Sequence, residues 1–414
     1  MEPQEFQHYL GKYAQLIVEF GINVQPGQTV VLQARVNQYP LARLIVKEAY
    51  AKGASEVVVN WEDDFIQKET LLHADEKVIG EVPEDVMLQG KRLLAKGASR
   101  INLVSSAPDA YAGVPQERLA LFQQATNKKL AGFRNAAQAN KVCWNLSGAA
   151  SPEWAAKVFP ELPAAEQVPA LWDEIFKTTR IYTPDSIAAW RHHRDILVAK
   201  AQELNAEQFN ALHFTAEGTD LVVGLPKNHF WDAASSTSVS GVNFMANMPT
   251  EEVFTAPDAQ RVDGIVKSTK PLSYLGTIIE GITLTFKDGA VVAGHAEKGD
   301  EVLQSLLQVD EGSRRLGEVA LVPDESPISQ SNITFYTTLF DENASNHLAL
   351  GAAYAFNLQG GEKMKEEELI AAGLNRSQVH VDFMIGSPNT NIDGVRADGT
   401  RVPLFRNGNW AVTE

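Results

Sequence analysis

The chain has 414 residues, more than one ordinary hydrophobic core accommodates, so two domains are expected. Apolar residues at 44% mark a globular protein, and a net charge of −16, from 52 acidic and 36 basic residues, excludes the basic surface that a nucleic-acid backbone requires. The single cysteine, Cys143, excludes intrachain disulfides and thiolate metal clusters, while the absence of a secretory signal or an apolar span predicts a cytoplasmic protein with no membrane partner.

In chain order, residues 29–33 read as a buried strand, 40–50 as a helix stopped by Gly53, and 56–61 as a second strand. This βαβ unit implies a parallel sheet, to which 100–104 and 141–144 are expected to add strands. Asp63 and Asp64 follow the second strand as a ribose-binding acid would, but 33–37 lacks the glycines that let a pyrophosphate approach the backbone, so nucleotide binding is excluded. A helix over 186–204 is expected to join the domains. His192 and His193 lie about 100° apart on it and are expected to face solvent. Beyond it, Glu217-Gly218, Asp288-Gly289, Asp398-Gly399 and Asn407-Gly408 separate apolar runs as hairpin turns do. The fold class is therefore an α/β N-terminal domain with a parallel sheet, residues 1–185, plus an α+β C-terminal catalytic domain, residues 186–414.

Four segments of the C-terminal domain carry chemistry. In 247–254, Glu251 and Glu252 are adjacent, and an extended chain would send only one of them into a shared site, which disfavours Glu251 as a general base. In 314–322, Glu318 opens an apolar strand, where a glutamate needs a partner: either the nearby Arg314 and Arg315 or a metal. In 338–354, an acidic turn holding Glu342 is read as leading into an apolar helix, on which His347 and Tyr354 would share a face. In 377–386, His380 and Asp382 alternate with apolar residues, so a strand would carry both on one face about 7 Å apart. Together these give carboxylates and histidines without thiolate, a set suited to zinc, cobalt, manganese or magnesium.

The segments 249–254, 316–318, 339–347 and 380–382 resemble the hallmarks of the aminopeptidase T and aminopeptidase S family of metallo-aminopeptidases, and the similarity extends over nearly the whole chain. The resemblance implies that Glu252, Glu318, Glu342, His347, His380 and Asp382 hold two divalent ions, with Glu318 as the bridge and Tyr354 beside them. It implies a homodimer that releases N-terminal amino acids from peptides with a free N-terminus. Tyr354 would donate a hydrogen bond to the tetrahedral oxyanion or pack beside His347. The rival readings are another two-metal amide hydrolase, such as a dipeptidase, and a non-catalytic metal-binding protein.

Overall fold

Val30, Leu32 and Ala34 have no exposed surface, because strand β1, Thr29–Arg35, lies inside a sheet. It pairs in parallel with β2, Glu56–Glu62, on one side and with β3, Ser99–Val104, on the other. The helix Tyr39–Ala51 makes the crossover from β1 to β2, burying Leu41, Ala42, Ile45 and Ala49 on one stripe. Gly53, at φ +91°, takes the left-handed turn that ends the crossover. The fourth strand, β4, runs Trp144–Gly148, parallel to β3. It starts at the end of the stretch 141–144 read as a strand from the sequence, because Lys141–Cys143 still belong to the turn after Asn140, whose φ is +49°.

The computed structural model describes residues 2–105, 110–233, 235–274 and 277–411. It comprises two compact units: Met1–Arg191 with Ser235–Pro249, and His192–Ala234 with Thr250–Glu414. In the first, Asn247–Met248 adds a short parallel strand beside β4, completing a five-stranded sheet with helices between its strands, an α/β arrangement. Among the described residues no helix is long and apolar enough to cross a membrane.

The second unit holds an eight-stranded sheet whose neighbours are all antiparallel. The expected hairpin turns are present, with Gly218, Gly289, Gly399 and Gly408 at φ between +74° and +87°. A second, five-stranded antiparallel sheet carries, in spatial order, His380–Met384, His347–Gly351, Leu316–Leu321, Val253–Thr255 and Asp232–Ala233. Short helices interrupt these strands, making the unit α+β.

One expectation is overturned here. The segment after Glu342 is not a helix carrying His347 and Tyr354 on one face: His347–Gly351 is a strand, every residue of it buried. A strand covered on both faces reads as a continuous apolar run, which periodicity does not distinguish from a buried helix.

Candidate metal centre

The five-stranded sheet sorts its residues by alternation. Val253, Val319, Leu321, Leu348, Leu350, Val381 and Phe383 point to one face and join the main apolar core of the unit. Glu318, His347, His380 and Asp382 point to the other, as the pairings Glu318↔Ala349, Ala320↔His347, Ala349↔Asp382 and Gly351↔His380 require. Their neighbours on that face, Ala320, Ala349 and Gly351, are small and leave room for the polar side chains.

Glu318 reaches this face through a bulge. Leu316 pairs with Leu350 and Glu318 with Ala349, so Gly317 is an extra residue in its strand. Two residues two apart would otherwise share a face; the bulge puts Leu316 in the core and Glu318 in the site. Gly317 has no room for a side chain, since a Cβ there would lie 2.3 Å from the Gly351 carbonyl oxygen and 2.4 Å from that of Ala352. Arg314 and Arg315 do not pair with Glu318. Arg314 donates to the Val291 carbonyl and Arg315 to those of Ala259 and Asp288.

The ligand atoms converge in two groups that share Glu318: Glu252, Glu318 and His347, and Glu318, His380 and Asp382, with the atoms of each group within 4.8 Å of one another. His347 Nε2 is 3.1 Å from Glu252 Oε2 and 3.5 Å from Glu318 Oε1. His380 Nε2 is 3.6 Å from Glu318 Oε2 and 3.5 Å from Asp382 Oδ1. Even so, His347 Nε2, Glu252 Oε2 and Asp382 Oδ1 are buried without a hydrogen bond. The groups aim at common points and do not satisfy one another.

Both histidines are oriented alike. His347 Nδ1 lies 3.0 Å from the Ser345 carbonyl oxygen, and His380 Nδ1 lies 2.7 Å from that of Ala352. A carbonyl only accepts, so each Nδ1–H donates and each Nε2 is turned toward the carboxylates, the orientation a metal ligand needs once Nε2 has lost its proton. These orphaned atoms and the oxygen–nitrogen donor set fit divalent cations.

Without a metal the cluster is electrostatically strained. Burial, then Asp382 and Glu252, push the Glu318 carboxyl above its usual range, and the same influences raise Glu342 further. Burial disfavours a charged His380, but Asp382 and Glu318 outweigh it and raise its pKa to about 10. His347 is likewise raised, Glu252 and Glu318 overcoming burial, while the cation at His380 holds Asp382 low despite its burial.

Glu342 belongs to neither convergent group. It sits buried in the turn before the His347 strand, its Oε1 3.4 Å from Asn343 Nδ2. Tyr354 reaches the site after the chain turns at Gly351, placing its ring 4.9 Å from that of His380. Burial and the surrounding carboxylates keep its phenol protonated.

Two residues at the site were not assigned to it from the sequence. His193 does not face solvent: its Nε2 is 2.9 Å from the Thr250 carbonyl oxygen and 3.2 Å from Glu251 Oε2, while His192 is exposed. Asn343 Oδ1 accepts the Glu251 N–H at 2.8 Å, while its Nδ2 donates to the Leu339 carbonyl at 3.0 Å. These contacts fasten 250–252, which has no ladder hydrogen bonds of its own ahead of Val253. Glu251 is as buried as Glu252, because alternation does not govern a segment that is not yet a strand.

The model of the Peptidase M29 family, described as thermophilic metalloprotease (M29), matches residues 6–410. The chain is 56% identical to "Aminopeptidase PepS" of Streptococcus thermophilus, over 98% of this chain and 99% of that protein. It is 53% identical to "Aminopeptidase AmpS" of Bacillus subtilis (strain 168), with the same coverage of each. The solved structure "Wild-type AmpT from Thermus thermophilus" superposes with a TM-score of 0.93 at 42% identity, covering 98% of this chain and 100% of that one. With a metalloprotease family spanning nearly its whole length and carboxylate–histidine groups gathered on one sheet face, this chain belongs to the M29 family of metallopeptidases.

Proposed function

We propose that the chain is a metal-dependent aminopeptidase that hydrolyses the N-terminal residue from peptides, with two divalent ions held by Glu252, Glu318, Glu342, His347, His380 and Asp382. The observation that supports the two-ion reading is the position of Glu318: its Oε1 faces His347 and its Oε2 faces His380, so one carboxylate belongs to both groups and would be shared by ions held there. Glu252 and His347 complete one side, and His380 and Asp382 the other. Glu342, whose carboxyl is raised by burial and then by Asp382 and Glu252, is assigned as the remaining ligand on the family resemblance.

Divalent ions held by these residues would supply an activated water and polarise the scissile carbonyl. The residues do the rest. The Ser345 and Ala352 carbonyls hold the two imidazoles with Nε2 toward the site. The Tyr354 phenol, kept protonated, donates a hydrogen bond to the oxygen that gains charge at the scissile carbon. The ligand set accepts zinc, cobalt, manganese or magnesium. We also propose a cytoplasmic homodimer: a lone buried cysteine suits a reducing compartment, and the dimer follows from the family resemblance.

Amino-acid anilides and dipeptides, each with a free and an N-acetylated terminus, test the reaction. Hydrolysis is expected only of the free amines, and activity that survives acetylation defeats the aminopeptidase reading in favour of a broader amide hydrolase. Elemental analysis of Glu318→Gln tests the bridge. Bound metal is expected to fall below that of the wild type and kcat/KM to drop at least about 100-fold, more than the loss of an outer-sphere partner produces. Full metal content with full activity removes Glu318 from this role.

A further inference from the structure

Three aromatic rings continue the metal-bearing face away from His380. Tyr354 packs on His380, and Phe356 stacks on Tyr354 with centroids 5.1 Å apart and planes 11° from parallel. Phe254 meets Phe356 edge-on at 6.1 Å and 82°. Phe254 is two residues beyond Glu252 and pairs with Ala320, so it stands on the same sheet face as Glu318 and His347. All three rings remain partly exposed. They join neither the large core of the unit nor the smaller cluster of Ala256, Ala353, Leu358, Leu369 and Leu374.

The wall is fixed in place. Asn357 is 1% exposed, and its side-chain amide donates to the carbonyls of Phe230 at 3.2 Å and Phe254 at 3.5 Å. Its own carbonyl accepts the Phe230 N–H at 2.7 Å, tying the segment that carries Phe356 to the strand that carries Phe254. A partly exposed aromatic surface joined to a polar centre is how small-molecule sites combine binding with orientation.

Resting on the aminopeptidase reading above, we propose that Phe254 and Phe356 form the subsite for the side chain of the peptide's N-terminal residue and select large apolar side chains. A residue whose carbonyl lies at the metal centre and beside Tyr354 directs its side chain from the atom next to that carbonyl. The surface it meets along this face is the Phe356 ring, then the edge of Phe254. Burying a leucine or phenylalanine side chain there removes much apolar surface from water, while alanine removes little, so selectivity for large residues near tenfold or more is expected.

The test compares wild type, Phe356→Ala, Phe356→Leu and Phe254→Ala, each with its metal content measured, on the anilides of phenylalanine, leucine, alanine and glutamate. Calorimetry with phenylalaninol and alaninol gives a readout independent of turnover. The wild type is expected to prefer phenylalanine and leucine and to bind phenylalaninol more tightly than alaninol. In the alanine variants the phenylalanine-to-alanine ratio of kcat/KM is expected to fall about tenfold, with the rate on alanine within about threefold of wild type and the binding preference lost in parallel. Phe356→Leu, which keeps an apolar side chain under Tyr354, is expected to retain most of the leucine rate. An equal loss on all substrates, an unchanged ratio or a wild type that favours alanine or glutamate overturns the subsite. A wild type inert toward every free amine instead defeats the aminopeptidase reading beneath it.

Discussion

Tyr354 illustrates how a single side chain acquires its role from its surroundings. Burial, followed by Glu318, Asp382 and Glu342, disfavours its phenolate, so the hydroxyl stays a hydrogen-bond donor at neutral pH. Tyr354→Phe removes that donor but keeps the ring against His380 and Phe356. Loss of kcat by about 100- to 1000-fold with KM and metal content near wild type is expected, the signature of an interaction made in the transition state. Steady-state kinetics beside metal analysis would show it, and an unchanged kcat would leave Tyr354 only a packing role. His193 shows what single residues hide: its partner Thr250 is 57 positions away, so a sequence displays a histidine on a polar helix and nothing that announces its contact.

At the level of elements, the bulge at Gly317 directs the proposed bridging carboxylate. A Cβ at this position would strike two carbonyl oxygens of the neighbouring segment, so Gly317→Ala must force the strands apart or straighten the bulge. Either movement turns Glu318 away from His347 and His380. The variant is expected to bind metal at least about tenfold more weakly, and to lose stability of roughly 1–3 kcal/mol, measured by metal competition and denaturant unfolding. Unaltered metal affinity in a folded Gly317→Ala would show that the bulge does not aim the ligand. The bulge was not legible beforehand, since Leu316-Gly317-Glu318 specifies no register by itself. The hairpins were legible, because Asp-Gly and Asn-Gly pairs carry their left-handed turn in their own chemistry. So was the His380 strand, whose alternation shows on its face. The His347 strand was not, because polar ligands cover one face and core the other, which erases its period.

Across the whole molecule, the proposed metal centre contributes to how stability responds to pH. In the metal-free protein Glu318 and Glu342 titrate above the usual carboxylate range, and His347 and His380 above the usual imidazole range. Each therefore binds more protons folded than unfolded, so each contribution is present at low pH and is lost as pH rises through the raised value. A metal held by these groups, as proposed, would need them deprotonated and would remove their part of that dependence. The gap in melting temperature between metal-loaded and chelated protein is expected to widen from about pH 6 to about pH 8.5, as thermal scans would record, and a constant gap would contradict this account.

The short strand Asn247–Met248 has a further consequence, for how the chain is made. The Leu146 N–H donates to the Ala246 carbonyl and the Asn145 side chain to that of Met245, so this later segment closes the open side of β4. When a ribosome has completed residue 191, the N-terminal unit still lacks its final strand, which emerges only after residues 192–234 of the other unit. A fragment ending there keeps an unpaired backbone edge, available to other chains. Cutting the protein between its two units therefore does not release two finished pieces.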